Sequence, residues 1–186
     1  MQPTTTSLLP ALLALLTLAS ALPSPSSLAP RAPYCANAPK TLAGTKLPRT
    51  PGLTFSTDQG DHTMTWCAPR SATYIIVTFA YALPGAGLPQ LLEQVSHAVM
   101  GHIQTAPDGP IPTGEFSYLI PQWGGATVAM HVWNVNNHQI TWGVLSSAVE
   151  ALAEYFGSTE WAAATFAIWD GVNKVGLGVV GLQPNS

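Results

Sequence analysis

Two stretches of alternating and periodic hydrophobicity organise the chain from Thr73 onward. Between Thr73 and Leu83, Ile75, Val77, Phe79 and Tyr81 alternate with Tyr74, Ile76, Thr78 and Ala80, the period-two signature of a strand. Pro84-Gly85-Ala86-Gly87 ends it. From Leu88 to Gln104 the period lengthens: Leu88, Leu91, Leu92, Val95, Val99 and Ile103 form one apolar stripe of a helix, with Pro89 in its first turn. The pattern then repeats. Glu115–Ile120 and Ala126–Val135 read as strands. Asn136-Asn137 reads as a polar turn, and Ile140–Phe156 as a helix with Gly157 placed to cap it at positive φ. Ala162–Trp169 and Lys174–Gly181 read as a hairpin opened by Asp170-Gly171.

The resulting order, β-α-β-β-α-β with one further strand, has a weak internal duplication in which Tyr74–Tyr81 corresponds to Thr127–Asn134. It predicts an α+β fold: an antiparallel sheet with two helices on one face, in the ferredoxin-like split arrangement plus an extra C-terminal strand. Ile75, Val77, Phe79, Phe116, Tyr118, Val128, Met130, Val132, Phe166 and Ile168 should meet the helices. Tyr74, Ile76, Leu119, His131, Trp133 and Trp169 should then share the opposite face, which is too apolar to stand bare. Three explanations are open: a cover supplied by the N-terminal arm, a ligand or partner surface, or a one-residue register slip that exchanges the faces.

Ahead of this core the composition changes. Leu8–Leu18 is almost wholly Leu and Ala, too short to span a bilayer, and Ala19-Ser20-Ala21 offers a small-x-small cleavage site after Ala21. Residues 1–21 therefore read as a signal peptide and the mature chain as secreted, with no membrane span. Residues 22–31 form a Pro/Ser/Ala linker or propeptide that ends at Arg31, a candidate processing site, so the mature chain starts near Leu22 or near Ala32. Residues 32–186 make a single domain. Its arm, 32–72, is rich in Pro, Thr, Ser and Gly, with short strands expected at Leu53–Ser56 and Thr63–Cys67 about a turn at Asp58–Asp61, and residues 73–186 form the core.

Secretion bears on the cysteines. The two in the chain, Cys35 and Cys67, should form one disulfide in an oxidising compartment, closing a loop of about 33 residues for roughly 3–4 kcal/mol. Two free thiols or a catalytic Cys are the alternative. Charged residues make up only 8% of the chain and the net charge is −3. That leaves no basic cluster to displace counterions from a phosphate backbone, which excludes nucleic acid as a partner.

Candidate chemistry is sparse. Gly176-Leu177-Gly178-Val179-Val180-Gly181 has the GxGxxG spacing, but no helix follows it to receive a pyrophosphate, so no cofactor is expected. His97 and His102 lie about 140° apart around one helix and cannot share a metal. Asp58, Asp61 and His62 read as a polar turn, Glu150 and Glu154 as a solvated pair, and Glu115 with Asp170 as a remote candidate carboxylate pair. Six tryptophans are many for this length, and Trp stacks on sugars and anchors interfaces. His131, Trp133 and Trp169 are therefore the candidate partner or ligand face.

The leader, the Pro/Ser/Ala stretch and Arg31 together resemble the layout of small secreted proteins of filamentous fungi. The segments Asn136-Asn137-His138-Gln139-Ile140-Thr141-Trp142-Gly143, Trp169-Asp170-Gly171 and Val175-Gly176-Leu177-Gly178 look like uncharacterised proteins of that kind. The α/β plan is also similar to killer-toxin-like fungal effectors. The resemblance implies an effector-like protein and no particular activity. The sequence thus points first to a secreted, non-enzymatic interaction protein of unknown extracellular protein or carbohydrate partner. A carbohydrate- or small-ligand-binding module using exposed aromatics is the alternative, and an enzyme without a recognisable motif the third reading.

Overall fold

The computed structural model describes residues 32–47, 63–83, 87–121 and 127–183. The chain divides into two units, Met1–Arg31 and Ala32–Ser186. The expected leader, the cleavage positions Ala21 and Arg31, the strand at Leu53–Ser56 and the turn at Asp58–Asp61 lie outside the described residues.

The second unit is α+β. Its elements are β1 (Tyr34–Cys35), β2 (Ala38–Leu42), β3 (Thr63–Cys67), β4 (Thr73–Ala82), α1 (Gly87–Thr105), β5 (Glu115–Pro121), β6 (Thr127–Asn134), α2 (Trp142–Ser158), β7 (Ala162–Asp170) and β8 (Asn173–Gln183). β1 and β2 form a small hairpin. The other strands make one six-stranded sheet in the order β3-β4-β7-β8-β6-β5, every ladder antiparallel. Both helices pack on one face of this sheet and on each other.

This order corrects the ferredoxin-like expectation. That plan makes β4 and β6 parallel neighbours and hangs the last strand on an edge. Here the β7–β8 hairpin is driven between them. Asp170 pairs with Asn173 across the two-residue turn Gly171-Val172, which ties β8 directly beside β7. Between Lys174 and Gln183 β8 has no charged residue, as suits a strand buried on both sides and not a sheet edge. The insertion also replaces the parallel pair by antiparallel ladders, which are slightly more stable per residue. In consequence α1 connects two strands with three others between them, and α2 connects two separated only by β8.

The helix-facing residues fall where the alternation places them. Ile75, Val77, Met130, Val132, Phe166 and Ile168 are at most 1% exposed and pack with Leu91, Val95, Leu145 and Leu152 of the helices in one core. The glycines of β8 make this packing possible. Gly178 lies opposite Phe166 in register, and a Cβ there would overlap the Phe166 ring. A Cβ on Gly176 would overlap the Ile140 side chain.

Both ends of α2 are satisfied locally. Thr141 Oγ1 accepts from Val144 N at 3.3 Å and Asp108 Oδ1 accepts from Gly143 N at 2.9 Å, occupying two of the donors that a helix start leaves unpaired. A Cβ on Gly143 would lie 2.7 Å from Asp108 Oδ2, so any larger residue there would push the capping carboxylate aside. At the other end, α2 runs past Gly157 to a C-cap at Thr159 with φ −121°. Gly157 is thus a helix-interior residue and not the positive-φ cap expected.

The arm is fastened to the β3 edge. Cys35 and Cys67 form a disulfide with Cα atoms 5.5 Å apart. Ala36 N donates to Thr65 O at 2.8 Å. The buried Asn37 carboxamide donates to Cys67 O at 2.8 Å and accepts from Cys67 N at 3.1 Å, mimicking one residue of a paired strand. Glu154 of α2 then holds this junction from the other side of the sheet: its Oε2 accepts from Trp66 Nε1 at 3.0 Å and from Asn37 Nδ2 at 3.3 Å. Glu154 is therefore a half-buried structural acceptor and not a member of a solvated pair. Glu150 remains on the surface, 3.2 Å from Arg70.

Three substitutions test this account. Gly178→Ala should lose about 1–3 kcal/mol through overpacking against Phe166, whereas Gly157→Ala, whose Cβ meets nothing within 4 Å, should gain about 0.5–1 kcal/mol. Urea denaturation midpoints read both, and a neutral Gly178→Ala would refute the packing role. Glu154→Ala removes a shared acceptor from two buried donors and should cost about 1–3 kcal/mol, seen as a lower midpoint with an unchanged m-value.

Candidate functional site

The sheet face away from the helices is the candidate site, and the register lays it out in rows. Tyr74 and Trp169 form one row. Ile76, Ala167, Leu177, Trp133 and Glu115 form the next, followed by Thr78, Thr165, Val179, His131 and Ser117. A fourth row holds Tyr81, Ala163, Gly181, Ala129 and Leu119. Each expected member of this face is on it, including His131, Trp133 and Trp169.

The arm covers one end. Cys35, Ala43, Leu47, Cys67 and Tyr74 make a second, smaller apolar cluster against which Ile76 and Trp169 pack. Trp169 stacks on Tyr74 with ring centroids 5.7 Å apart and planes at 12°. Among the described residues its buried Nε1 has no hydrogen-bond partner. Burial pushes the Tyr74 phenol above its ordinary value.

The other end is open, and one irregularity gives it its character. Strict alternation keeps Tyr81 on the helix side with Phe79. The register shifts between Phe79 and Tyr81, with Phe79 opposite Ala164 and Tyr81 opposite Ala163. This bulge turns Tyr81 to the open face, where it is 49% exposed. A shallow groove of about 270 Å³ results, floored by Ala129, Ala163, Thr165, Val179 and Gly181 and walled by Tyr81, His131 and Leu182. A Cβ on Gly181 would come within 3.0 Å of the Ala163 Cβ, so the floor is close-packed.

The three candidate residues are thus on one face but not in one site. Trp169 belongs to the arm-covered corner. Trp133 is half-buried in the second row, two strands from β7. His131 alone borders the groove. Tyr81, Thr165 and Gly181, which complete it, were not singled out by the sequence. Only a bulge signal at Ala80 would have found Tyr81, and Ala80 has none.

The polar chemistry of the groove is slight. Ser117 Oγ and His131 Nδ1 are 2.8 Å apart, the separation of a hydroxyl nucleophile and its base. Such a pair needs a third group to orient the imidazole. Among the described residues no carboxylate is hydrogen-bonded to His131 Nε2. Glu115 and Asp170 sit on strands separated by β8 and β6 and are not brought together. Among the described residues no group of three or more His, Cys, Asp or Glu is arranged to hold a metal ion.

A larger hollow, about 540 Å³, lies between the helices beside Arg70, Met100, Glu150 and Glu154. Its charges are already committed: Glu150 to Arg70 and Glu154 to Trp66 and Asn37. Among the remaining aromatics, Trp142 stacks on His102 at 4.0 Å and Trp161 on Phe156 at 5.9 Å, both within the protein. Trp123 lies outside the described residues.

Burial raises the Tyr155 phenol as well as that of Tyr74. The folded state therefore binds these phenolic protons more tightly than the unfolded chain does. The stability they confer is complete below the ordinary tyrosine range, near pH 10, and is lost as pH climbs through the raised folded values. Denaturation midpoints should be flat up to about pH 9.5 and fall above it. Tyr74→Phe should reduce that fall, and an unchanged alkaline slope in this variant would refute the assignment.

Compared with known proteins, the chain matches no family model, no curated protein and no solved structure.

Proposed function

We propose that this is a secreted, non-enzymatic interaction protein, effector- or toxin-like, whose partner binds the open half of the sheet face. The observation that carries the proposal is the bulge that brings Tyr81 onto that face beside a close-packed floor of small side chains. The leader-like N-terminus and the Cys35–Cys67 disulfide support an extracellular setting. Among the described residues, no helix is long and apolar enough to cross a membrane.

Size decides between a surface and a pocket. Small-molecule sites usually enclose roughly 300–1,000 Å³, and this groove is smaller and open. The two outer rows span five strands, about 24 Å, and about 13 Å along the strands, roughly 300 Å² in all. That area is well below the ~800 Å² per partner of a standard stable complex, so the contact is transient or extends beyond these rows. A macromolecular surface is favoured over a ligand pocket. The carbohydrate reading keeps Tyr81 and His131 as its platform in place of Trp169, which is stacked on Tyr74.

The test is site-specific cross-linking with the chain collected from culture medium, whose intact mass also reports a start at Leu22 or Ala32. A photo-reactive side chain at Thr165 should capture one discrete extracellular protein. The same side chain at Glu93, on α1, should not. Adding Val179→Glu should abolish the adduct. Binding on a glycan array that is lost with Tyr81→Ala would establish the carbohydrate reading instead. Equal capture from Thr165 and Glu93 would sink both.

A further inference from the structure

The two edges of the sheet are treated in opposite ways. On the β3 edge, Ala36 N and the Asn37 carboxamide occupy the outward backbone groups of Thr65 and Cys67, and the disulfide ties the arm there. On the β5 edge no described residue hydrogen-bonds to the outer side of Phe116–Ile120. Sheet edges of this kind normally carry a bulge, a lysine, a mid-strand proline or a covering segment. β5 pairs with β6 through seven residues without a register shift. Its charge is limited to Glu115 at one end, its proline to Pro121 at the other, and Leu119 is 49% exposed.

A second observation comes from the helix above this edge. Tyr118 Oη donates to Gln94 Oε1 at 3.4 Å, which puts the Gln94 side of α1 over β5. Helical periodicity adds Ala98, Gly101 and Thr105 to that shoulder. Gly101 is an exposed helix-interior glycine, and a Cβ there would meet nothing within 4 Å in this chain. The fold does not require it, although glycine weakens a helix. A glycine at such a place fits the close approach of a backbone from outside.

We propose that β5 and the Gln94–Thr105 shoulder of α1 form a two-fold interface with a second copy of this chain, joining the two sheets through antiparallel β5–β5 pairing. Self-complementarity argues for that occupant. In the register centred on Tyr118, Phe116 meets Ile120, Ser117 meets Leu119 and Glu115 meets Pro121, so no like charges are opposed. The shoulder residues carry no charge either, which removes repulsion between two α1 helices. Seven strand residues give a contact about 23 Å long, and the sheet and helix layers together stand roughly 20 Å high. The footprint is about 450 Å² per copy, in the range of weak and transient associations. The dimer is therefore concentration-dependent. This inference is independent of the partner proposed for the open face.

Sedimentation velocity on the disulfide-bonded chain, from roughly 1 μM to 1 mM, should show a monomer–dimer equilibrium with a Kd in the micromolar range. Leu119→Lys and Gly101→Arg should each weaken it at least about tenfold with unchanged circular dichroism. Gly101→Ala should move two readouts in opposite directions, raising the monomer's denaturation midpoint while weakening the dimer. Val179→Glu, on the open face, should leave association unaltered. Amide protection at Phe116–Ile120 should rise with protein concentration. A chain that stays monomeric to 1 mM would overturn the proposal and leave the edge to a foreign strand. A dimer that survives both edge variants and is lost with Val179→Glu would overturn it in favour of face-to-face stacking.

Discussion

The structure depends on the junction at Cys67, where a short arm is fixed to the end of β3. Three kinds of bond converge there. The disulfide restricts the unfolded chain, the Asn37 carboxamide replaces a missing strand residue, and Glu154 reaches from α2 to accept from both Trp66 and Asn37. The first acts on the denatured ensemble and the other two on the folded state, so they reinforce one another without competing for the same free energy. Together they settle which edge of the sheet is sealed and which end of its rear face is roofed. The opposite edge and the opposite end of that face are left uncovered by any described residue. With 15 charged residues in the chain (six Lys and Arg, nine Asp and Glu), three of them are drawn into this region: Arg70, Glu150 and Glu154.

Much of this was legible beforehand because one period dominates each element. The alternation from Thr73, the Leu88–Val99 stripe and the Asp170-Gly171 turn each express a local constraint, and local constraints survive in a single sequence. The sorting of the two sheet faces followed from the same period. Strand order did not, because it depends on which ladder forms beside which. The one available clue was the uncharged run of β8, from Val175 to Leu182, which marks an interior strand. Read as an appended strand, it leads to the ferredoxin-like plan; read as an interior one, it leads to the observed order. The Gly176–Gly178 pattern marks close packing, since glycines with no turn to make must make room for something.

The site was less legible for a different reason. Its defining feature is a bulge at Ala80, and bulges are set by how two strands accommodate each other and not by the residue that bulges. Without it Tyr81 joins Phe79 beneath the helices and the groove has no wall. Trp169 was misleading in the opposite sense. A tryptophan on a half-exposed strand reads as a platform, but its stacking partner Tyr74 and its roof come from elements with no periodic relation to it. Glu154 was misread likewise. On a helix wheel it is a solvent-side residue, and only the placement of β3 and the arm supplies its two donors.

Low charge by itself is weak support for any binding surface here. At 8% charged residues, against about 25% in ordinary domains, an uncharged run of ten surface positions is an ordinary event. The open face and the open edge carry no charge beyond Glu115, and composition alone accounts for that. What composition does not account for is geometry that departs from the easiest solution. A regular β4 would have buried the Tyr81 ring, and an alanine at position 101 would have made a better helix. Each departure sits beside a surface that the arm does not cover. The roofed end of the sheet shows a different kind of cost, a Trp169 Nε1 with no partner among the described residues, which belongs to packing under the arm. The departures that packing does not explain therefore collect on the uncovered side of the molecule, and it is their position, rather than the polarity of the residues, that distinguishes a contact surface from a merely bare one.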